Sequence, residues 1–217
     1  MENYSEKAKG GKIMKEQFSF LKDILIRPSE AFWEMKREGR GSFWMAIGCV
    51  VLLIFNRIFA RQATSFLFNY EVTPLNILAE ARNILVVAVL FCLACWAVTA
   101  LLDGESTMKN VIMMFGYATL PISLIGIPVT IFTNIATYNE SVFIDFFHFF
   151  GMAWCVFILF MGLMSLNQYS ALKALGVTIV ILITAGIIVF VYILFFTIIS
   201  QLLGFVMALY KELMLRL

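Results

Sequence analysis

The sequence predicts an all-α integral membrane protein, a polytopic bundle of about five spanning helices preceded by N-terminal amphipathic helices. Of its 217 residues, 62% are hydrophobic and 14% are charged, whereas soluble domains contain about 45–50% apolar and about 25% charged residues. The apolar residues form long runs separated by short polar breaks, and a bilayer solvates such runs directly. Nine of the 16 Lys and Arg residues and seven of the 14 acidic residues precede residue 43, so the N-terminal segment is the water-facing part.

The N-terminal segment divides into two parts. Residues 1–11 are polar and contain adjacent glycines, which predicts a disordered tail. Residues 12–41 alternate apolar and charged side chains at helical spacing, and Pro28 interrupts this pattern. Ser29 is the expected cap of a second short helix. We expect residues 12–41 to lie on the cytoplasmic membrane surface with basic side chains toward the headgroups, since a separate soluble bundle would lack the apolar residues for a core.

The five-span membrane domain is expected over residues 42–209, with a C-terminal tail at 210–217. Its spans are predicted at 42–60, 83–102, 111–135, 143–166 and 174–197. The last apolar run, from Ala174 to Leu209, would be roughly 54 Å long as one helix. This is too long for one span, so an amphipathic tail helix is expected after Thr197.

The break between the second and third spans is the short segment DGESTMKN. Gly104 suits the end of one helix, and Ser106 or Thr107 suits the N-cap of the next. The two spans should therefore be antiparallel neighbours. Pro121 and Pro128 should bend the third span, because proline removes a helical hydrogen bond.

The distribution of basic residues predicts the orientation. With five spans and a cytoplasmic N-terminus, eleven Lys and Arg residues lie inside and five lie outside. This distribution favours an outside C-terminus. The net charge of +2 is too small to indicate nucleic-acid binding. The long apolar runs make the lipid bilayer the first expected partner.

Three polar residues inside apolar runs form a candidate polar membrane site. Arg57 lies near the end of the first span, where we expect it to snorkel to the interface; the alternative is an inward ion pair. Asp145 and His148 share a helix face at i, i+3 spacing and have the chemistry of an acid–base or metal pair. Because His148 is the only histidine, an interfacial or inter-helix hydrogen bond is the favoured interpretation.

Other candidate chemistry is sparse. Asp103, Glu105 and Lys109 lie in the DGESTMKN break, where the two carboxylates would bind a cation or an arginine or simply cap and solvate the helix ends, as we favour. Cys92 and Cys95 have the spacing of a zinc or redox pair, but they lie in an apolar run without a second Cys or His pair. We predict packing cysteines, no cofactor, no metal site and no catalytic residue.

Two local motifs resemble the Yip-domain family, named after Ypt/Rab-GTPase-interacting proteins. The first is Arg27-Pro28-Ser29-Glu30-Ala31-Phe32, ahead of the first span. The second joins the break at Asp103, Gly104, Thr107 and Lys109 to the Gly116-Tyr117-Ala118-Thr119-Leu120-Pro121 stretch. The resemblance covers residues 20–205. The eukaryotic members carry an Asp-Leu-Tyr-Gly-Pro type motif that this sequence lacks, so Rab binding is not implied. The resemblance is to the bacterial branch, and it implies a bacterial plasma membrane as the location.

The resemblance implies a five-span bundle that binds other membrane proteins. We therefore expect a non-enzymatic scaffold or accessory subunit whose partners are other integral membrane proteins or further copies of itself. One alternative is a small transporter or channel subunit with a polar route near Arg57, Asp145 and His148. The other is a membrane-embedded lipid-modifying enzyme that uses the acids of the DGESTMKN break. Within the second motif, Gly116 should permit close helix approach, Tyr117 should direct its hydroxyl to that break, and Pro121 should supply a bend.

Overall fold

The computed structural model of the protein describes residues 16–69 and 74–216. Within these residues the chain is helical apart from its connections, and the bounds of the elements follow. Helix α1 covers residues 16–26. The remaining helices are α2 (Pro28–Arg37), α3 (Phe43–Ala63), α4 (Ile77–Leu101), α5 (Met108–Ala118), α6 (Leu120–Phe132), α7 (Ser141–Asn167) and α8 (Ala171–Arg216), with a 3-10 turn at Tyr138–Glu140 before α7. The predicted tail at 1–11 lies outside the described residues.

Five helical stretches of the described chain are long and apolar enough to cross a membrane. They are α3, α4, α5 with α6, α7 and α8, so the predicted fold class is confirmed. The second span begins at Ile77, earlier than expected, because Asn76 caps it by accepting a hydrogen bond from the Ala79 amide at 3.2 Å. The charged residues Glu80 and Arg82 are therefore helical rather than part of a linker.

The third span is two helices rather than one bent helix. Thr119 separates α5 from α6, and Pro121 lies in the first turn of α6, where its missing N–H costs little. The Thr119 hydroxyl donates to the Gly116 carbonyl oxygen at 2.7 Å, which satisfies one carbonyl at the break. Pro128 remains inside α6.

The apolar side chains of the N-terminal segment pack on the spanning helices, and its position at the membrane surface stays a prediction. Phe20 and Ile24 of α1 and Phe32 of α2 are at most 1% exposed and belong to the main core. Phe20 packs against Tyr117 of α5, and α2 packs against the C-terminal part of α7. The segment needs no core of its own, since the spanning helices provide it. Ser29 is also not a cap, because α2 begins at Pro28 after Arg27 and has no side-chain cap.

The last helix runs without a break from Ala171 to Arg216. The separate tail helix predicted after Thr197 is therefore wrong as an element. No proline or cluster of turn residues interrupts this stretch, so each residue extends the existing helix at little cost.

Candidate functional site

The loop between α4 and α5 has a defined geometry. Helix α4 ends at Leu101 with Leu102 as its C-cap, and Asp103 takes a left-handed conformation with φ of 55°. Gly104 lies at the end of the helix as predicted, but Asp103 rather than Gly104 occupies the left-handed position that follows it. The Gly104 amide donates to the Thr99 carbonyl oxygen at 2.8 Å, and the Thr107 side chain accepts from the Asn110 amide at 3.3 Å. Thr107, rather than Ser106, is therefore the N-cap of α5.

Three side chains from outside this loop hold it in place, those of Lys36, Asn167 and Tyr169, and we call the assembly the loop clasp. Lys36 on α2 donates to Glu105 Oε2 at 2.5 Å and to the Leu166 carbonyl oxygen at 2.7 Å. Asn167 at the end of α7 accepts the Ser106 amide hydrogen at 3.1 Å. The clasp thus joins α2, the α4–α5 loop and the end of α7 at one end of the bundle.

Gly104 lies at the most crowded point of the clasp. A Cβ atom there would lie 2.6 Å from Asn167 Oδ1, 2.7 Å from the Thr99 carbonyl oxygen and 2.7 Å from Tyr169 Oη. The Tyr169 hydroxyl also donates to the Leu102 carbonyl oxygen at 2.9 Å. Glycine is therefore required here for close approach rather than for its backbone conformation.

The charged residues of the clasp differ in their surroundings. The hydrogen bond from Lys36, and then its charge, lower the pKa of Glu105 below the usual glutamate range. Burial, and then the negative charge of Asp103, raise the pKa of Tyr169. Asp103 and Lys109 are exposed. The two acids of the loop therefore have separate surroundings, and Glu105 is already engaged by an ammonium group.

Tyr117 fastens the start of α3 to α5. Its hydroxyl donates to the Ser42 carbonyl oxygen at 2.8 Å and accepts from the Ser42 amide at 2.9 Å. The Phe20 ring packs edge-on against it at 5.3 Å. The hydroxyl thus meets the α2–α3 connection, not the DGESTMKN break as the sequence predicts. The reason is that α5 packs against α3.

Glycines at two helix contacts, Gly116 and Gly151, allow the helices to approach each other. A Cβ on Gly116 would lie 2.5 Å from the Ala46 carbonyl oxygen of α3, which is the close contact expected for this glycine. Pro121 is buried at the start of α6 and faces Gly151 of α7, whose Cβ would lie 3.6 Å from the Pro121 carbonyl oxygen. Pro28, the remaining motif residue, is buried at the start of α2.

A second candidate site is a cavity of about 690 Å³ among the spanning helices. It is lined by α3, α4, α6 and α7 together with Phe115 of α5. Arg57 and His148 both line it, whereas Asp145 does not. The structure thus brings two of the three residues of the predicted polar membrane site to one place.

Comparisons with known proteins identify the family of the chain. The Yip1 domain family matches residues 22–194. The chain belongs to the Yip1 domain family. The match begins in α1 and ends inside α8, so this Yip1 domain includes both the loop clasp and the cavity. No curated protein and no solved structure matches the chain significantly.

Glu80 is not among the residues that the sequence predicts for the polar membrane site, yet it lines the same cavity of this Yip1 domain. Its carboxylate lies 3.3 Å from Arg57 Nε and 3.1 Å from Arg61 Nη1. Arg57 therefore forms the ion pair of the alternative interpretation, and snorkelling stays a prediction, since its side chain is 47% exposed near the end of α3. The signal was present in the sequence, because Arg57 and Arg61 are four residues apart and share one helix face.

The four cysteines of the Yip1 domain are buried and free. Cys92 and Cys95 are in the main core with Val98 of the same helix. Among the residues that the structure describes, no group of three or more His, Cys, Asp or Glu side chains has the spacing for a metal ion. The arrangement at Cys92 and Cys95 is that of small packing side chains.

Proposed function

We propose that this Yip1 domain is a non-enzymatic accessory protein of the membrane that binds other integral membrane proteins, or a further copy of itself, through α8. The observation that carries the proposal is the length of the apolar part of α8. The stretch from Ala171 to Ala208 has 38 residues with the character of a membrane span, whereas about 20 residues cross the hydrocarbon core.

Tilt does not absorb the excess length. At 1.5 Å per residue, 38 residues extend for about 57 Å. At the upper limit of tilt, about 40°, the same helix still spans roughly 44 Å along the bilayer normal, compared with a core of about 30 Å. Part of this apolar helix therefore needs a cover other than hydrocarbon, because apolar surface in water is unfavourable.

The other helices of the described chain, within residues 16–69 and 74–216, do not supply that cover. Ala174, Val177 and Ile181 are buried where α8 packs against α4. Every residue from 189 to 208 is exposed. These twenty residues include Phe190, Phe195 and Phe196. An α-helical surface on a second membrane protein would bury them.

Native-detergent purification with mass spectrometry tests the proposal. We expect a partner in fixed stoichiometry with the wild-type chain, and its loss when Phe190, Phe195 and Phe196 are changed together to Ala. The matched control changes Phe146, Phe149 and Phe150 of α7, which are also exposed, and it should retain the partner. Recovery of the wild-type chain only as a lone monomer contradicts the proposal.

A small transporter or channel subunit is the second candidate, favoured by the cavity that Arg57 and His148 share. Flux into reconstituted vesicles measures it. Because Asp145 does not line the cavity, a route through it would respond to His148→Ala and not to Asp145→Asn. Equal loss of flux in both variants, or flux unaffected by either, excludes this route.

We further propose a bacterial plasma membrane as its location, with the N-terminus cytoplasmic and the C-terminus outside. The excess of basic residues before residue 43 supports this orientation. Reporter fusions at the two ends of the chain test it, and activity of the same cytoplasmic reporter at both ends contradicts it.

A further inference from the structure

The cavity among the spanning helices is polar at one end and apolar at the other. Asn56, Arg57 and Glu80 line it near the end of α3 and the start of α4. Leu53, Phe91 and Leu159 line it nearer the middle of the bundle. Since α3 and α4 are antiparallel spans, this gradient runs along the membrane normal, as it does in a lipid molecule.

One polar group in the cavity lacks a partner. Asn56 is 7% exposed, and its Oδ1 atom accepts no hydrogen bond from the described part of the chain. Its Nδ2 atom donates to the Ile122 carbonyl oxygen at 3.4 Å. A buried acceptor without a donor is costly, so this oxygen favours a ligand that carries an O–H or N–H group.

The cavity opens sideways between α4 and α7. In the described part of the chain, α4 packs mainly against α3, α5 and α8, whereas α6 packs against α3 and α7. The gap left between α4 and α7 is lined by Val87, Met152 and Val156, which are 57–60% exposed. Because these three side chains lie on spanning helices, they face the bilayer, and the opening connects the cavity with lipid.

We propose that this cavity binds one lipid of the surrounding bilayer, with an acyl chain against the apolar wall and a donor-bearing headgroup at Asn56. The volume of about 690 Å³ falls within the about 300–1,000 Å³ of small-molecule sites. An acyl chain restores the dispersion contacts that the apolar wall lacks. Because the Asn56 oxygen is itself buried, the side chain turns toward the cavity when the headgroup binds. An ethanolamine ammonium group then donates a hydrogen bond to this oxygen, which a choline group, having no N–H, does not. The site is separate from the α8 surface and independent of the protein-binding function.

The test measures lipid retained by the purified full-length chain. The protein is reconstituted in nanodiscs of equal parts phosphatidylethanolamine and phosphatidylcholine with identical acyl chains, and is then transferred to mild detergent and analysed by native mass spectrometry. We expect about one ethanolamine lipid per chain, in at least fivefold excess over choline lipid. Asn56→Leu, which removes the acceptor, should abolish this preference.

A second variant keeps the proposal falsifiable if Asn56→Leu fails to fold. Val87→Trp places a large side chain in the lateral opening and should lower the retained lipid at least fivefold. Val89→Trp is the matched control, because Val89 is an exposed valine of the same helix that does not line the cavity, and it should retain lipid as the wild type does. Equal retention in the two tryptophan variants, no retained lipid in the wild type, or equal retention of the two headgroups overturns the proposal.

Discussion

The hydroxyl of Tyr117 engages both backbone polar groups of Ser42, donating to its carbonyl oxygen at 2.8 Å and accepting from its amide at 2.9 Å. Ser42 is the N-cap residue of α3. One side chain on α5 therefore positions the entry of the first span, and with it the connection to the buried N-terminal helices.

Tyr117→Phe should destabilise the protein by about 1–3 kcal/mol, because both Ser42 backbone groups lose a partner while the ring keeps its packing. The thermal unfolding midpoint in detergent measures the change, at about 2–4 °C for each kcal/mol. Tyr138→Phe is the control, since Tyr138 is exposed, and it should leave the midpoint unchanged. A midpoint for Tyr117→Phe equal to that of the control would show that the hydroxyl contributes nothing.

Gly116→Ala should also be destabilising, by about 1–3 kcal/mol, because the new Cβ would lie 2.5 Å from the Ala46 carbonyl oxygen and α3 would have to move. Gly176→Ala provides the comparison, since no heavy atom lies within 4 Å of a Cβ there. That variant should gain up to about 1 kcal/mol from helix propensity. Equal unfolding midpoints for the two variants would argue against the close contact of α3 and α5.

The ion pair of Lys36 with Glu105 predicts a pH dependence of stability. Lys36 holds the pKa of Glu105 below its ordinary value of about 4.5, so the pair stabilises the fold above that pH. The stabilisation is lost as the pH falls through the lowered pKa. The difference in unfolding midpoint between wild type and Glu105→Gln should therefore be largest near neutral pH and shrink at acidic pH.

Glu30→Gln is the control for that pH series. Glu30 pairs with Arg27 at 3.4 Å, but both side chains are largely exposed, and exposed pairs contribute little. Its midpoint should follow the wild type at every pH. A Glu105→Gln difference that stays constant from neutral to acidic pH would exclude ionisation of Glu105 as its cause.

Glu80→Gln should destabilise the bundle by about 3 kcal/mol at most. The reason is that the Glu80 side chain is only 14% exposed and its carboxylate faces Arg57 and Arg61. Glu80→Asp should retain part of the stability, since it keeps the charge. Glu38→Gln at an exposed position is the control. Chemical unfolding in detergent measures all three, and no loss in Glu80→Gln would show that the two arginines do not depend on this carboxylate.

Much of the fold followed from local properties of the sequence. The span from Phe43 to Ala63 was predicted within three residues at its end, because the length of an apolar run and the thickness of a bilayer suffice to place it. The family resemblance also rested on contiguous motifs, and the match over residues 22–194 confirmed it. The bacterial branch stays a prediction.

The features that the sequence missed involve partners that are distant along the chain. The apolar face of α1 and α2 is typical of a membrane-surface helix until the bundle that covers it is known. Asp103 was not expected at the left-handed position, since glycine is the usual residue there. The cavity that joins Arg57 to His148 depends on how four helices pack, which no single run of residues specifies.

The sequence by itself determined the number of spans, the helical class and the family, because hydropathy and helix signals act over neighbouring residues. Only the tertiary structure decided what Tyr117 and Lys36 hold. Tyr117 is 75 positions from Ser42, and Lys36 is 69 positions from Glu105. From the residue type alone, a tyrosine or a lysine side chain is as compatible with solvent as with a contact between helices. Their roles follow from the packing of antiparallel helices, which brings those backbone and carboxylate partners within hydrogen-bond distance.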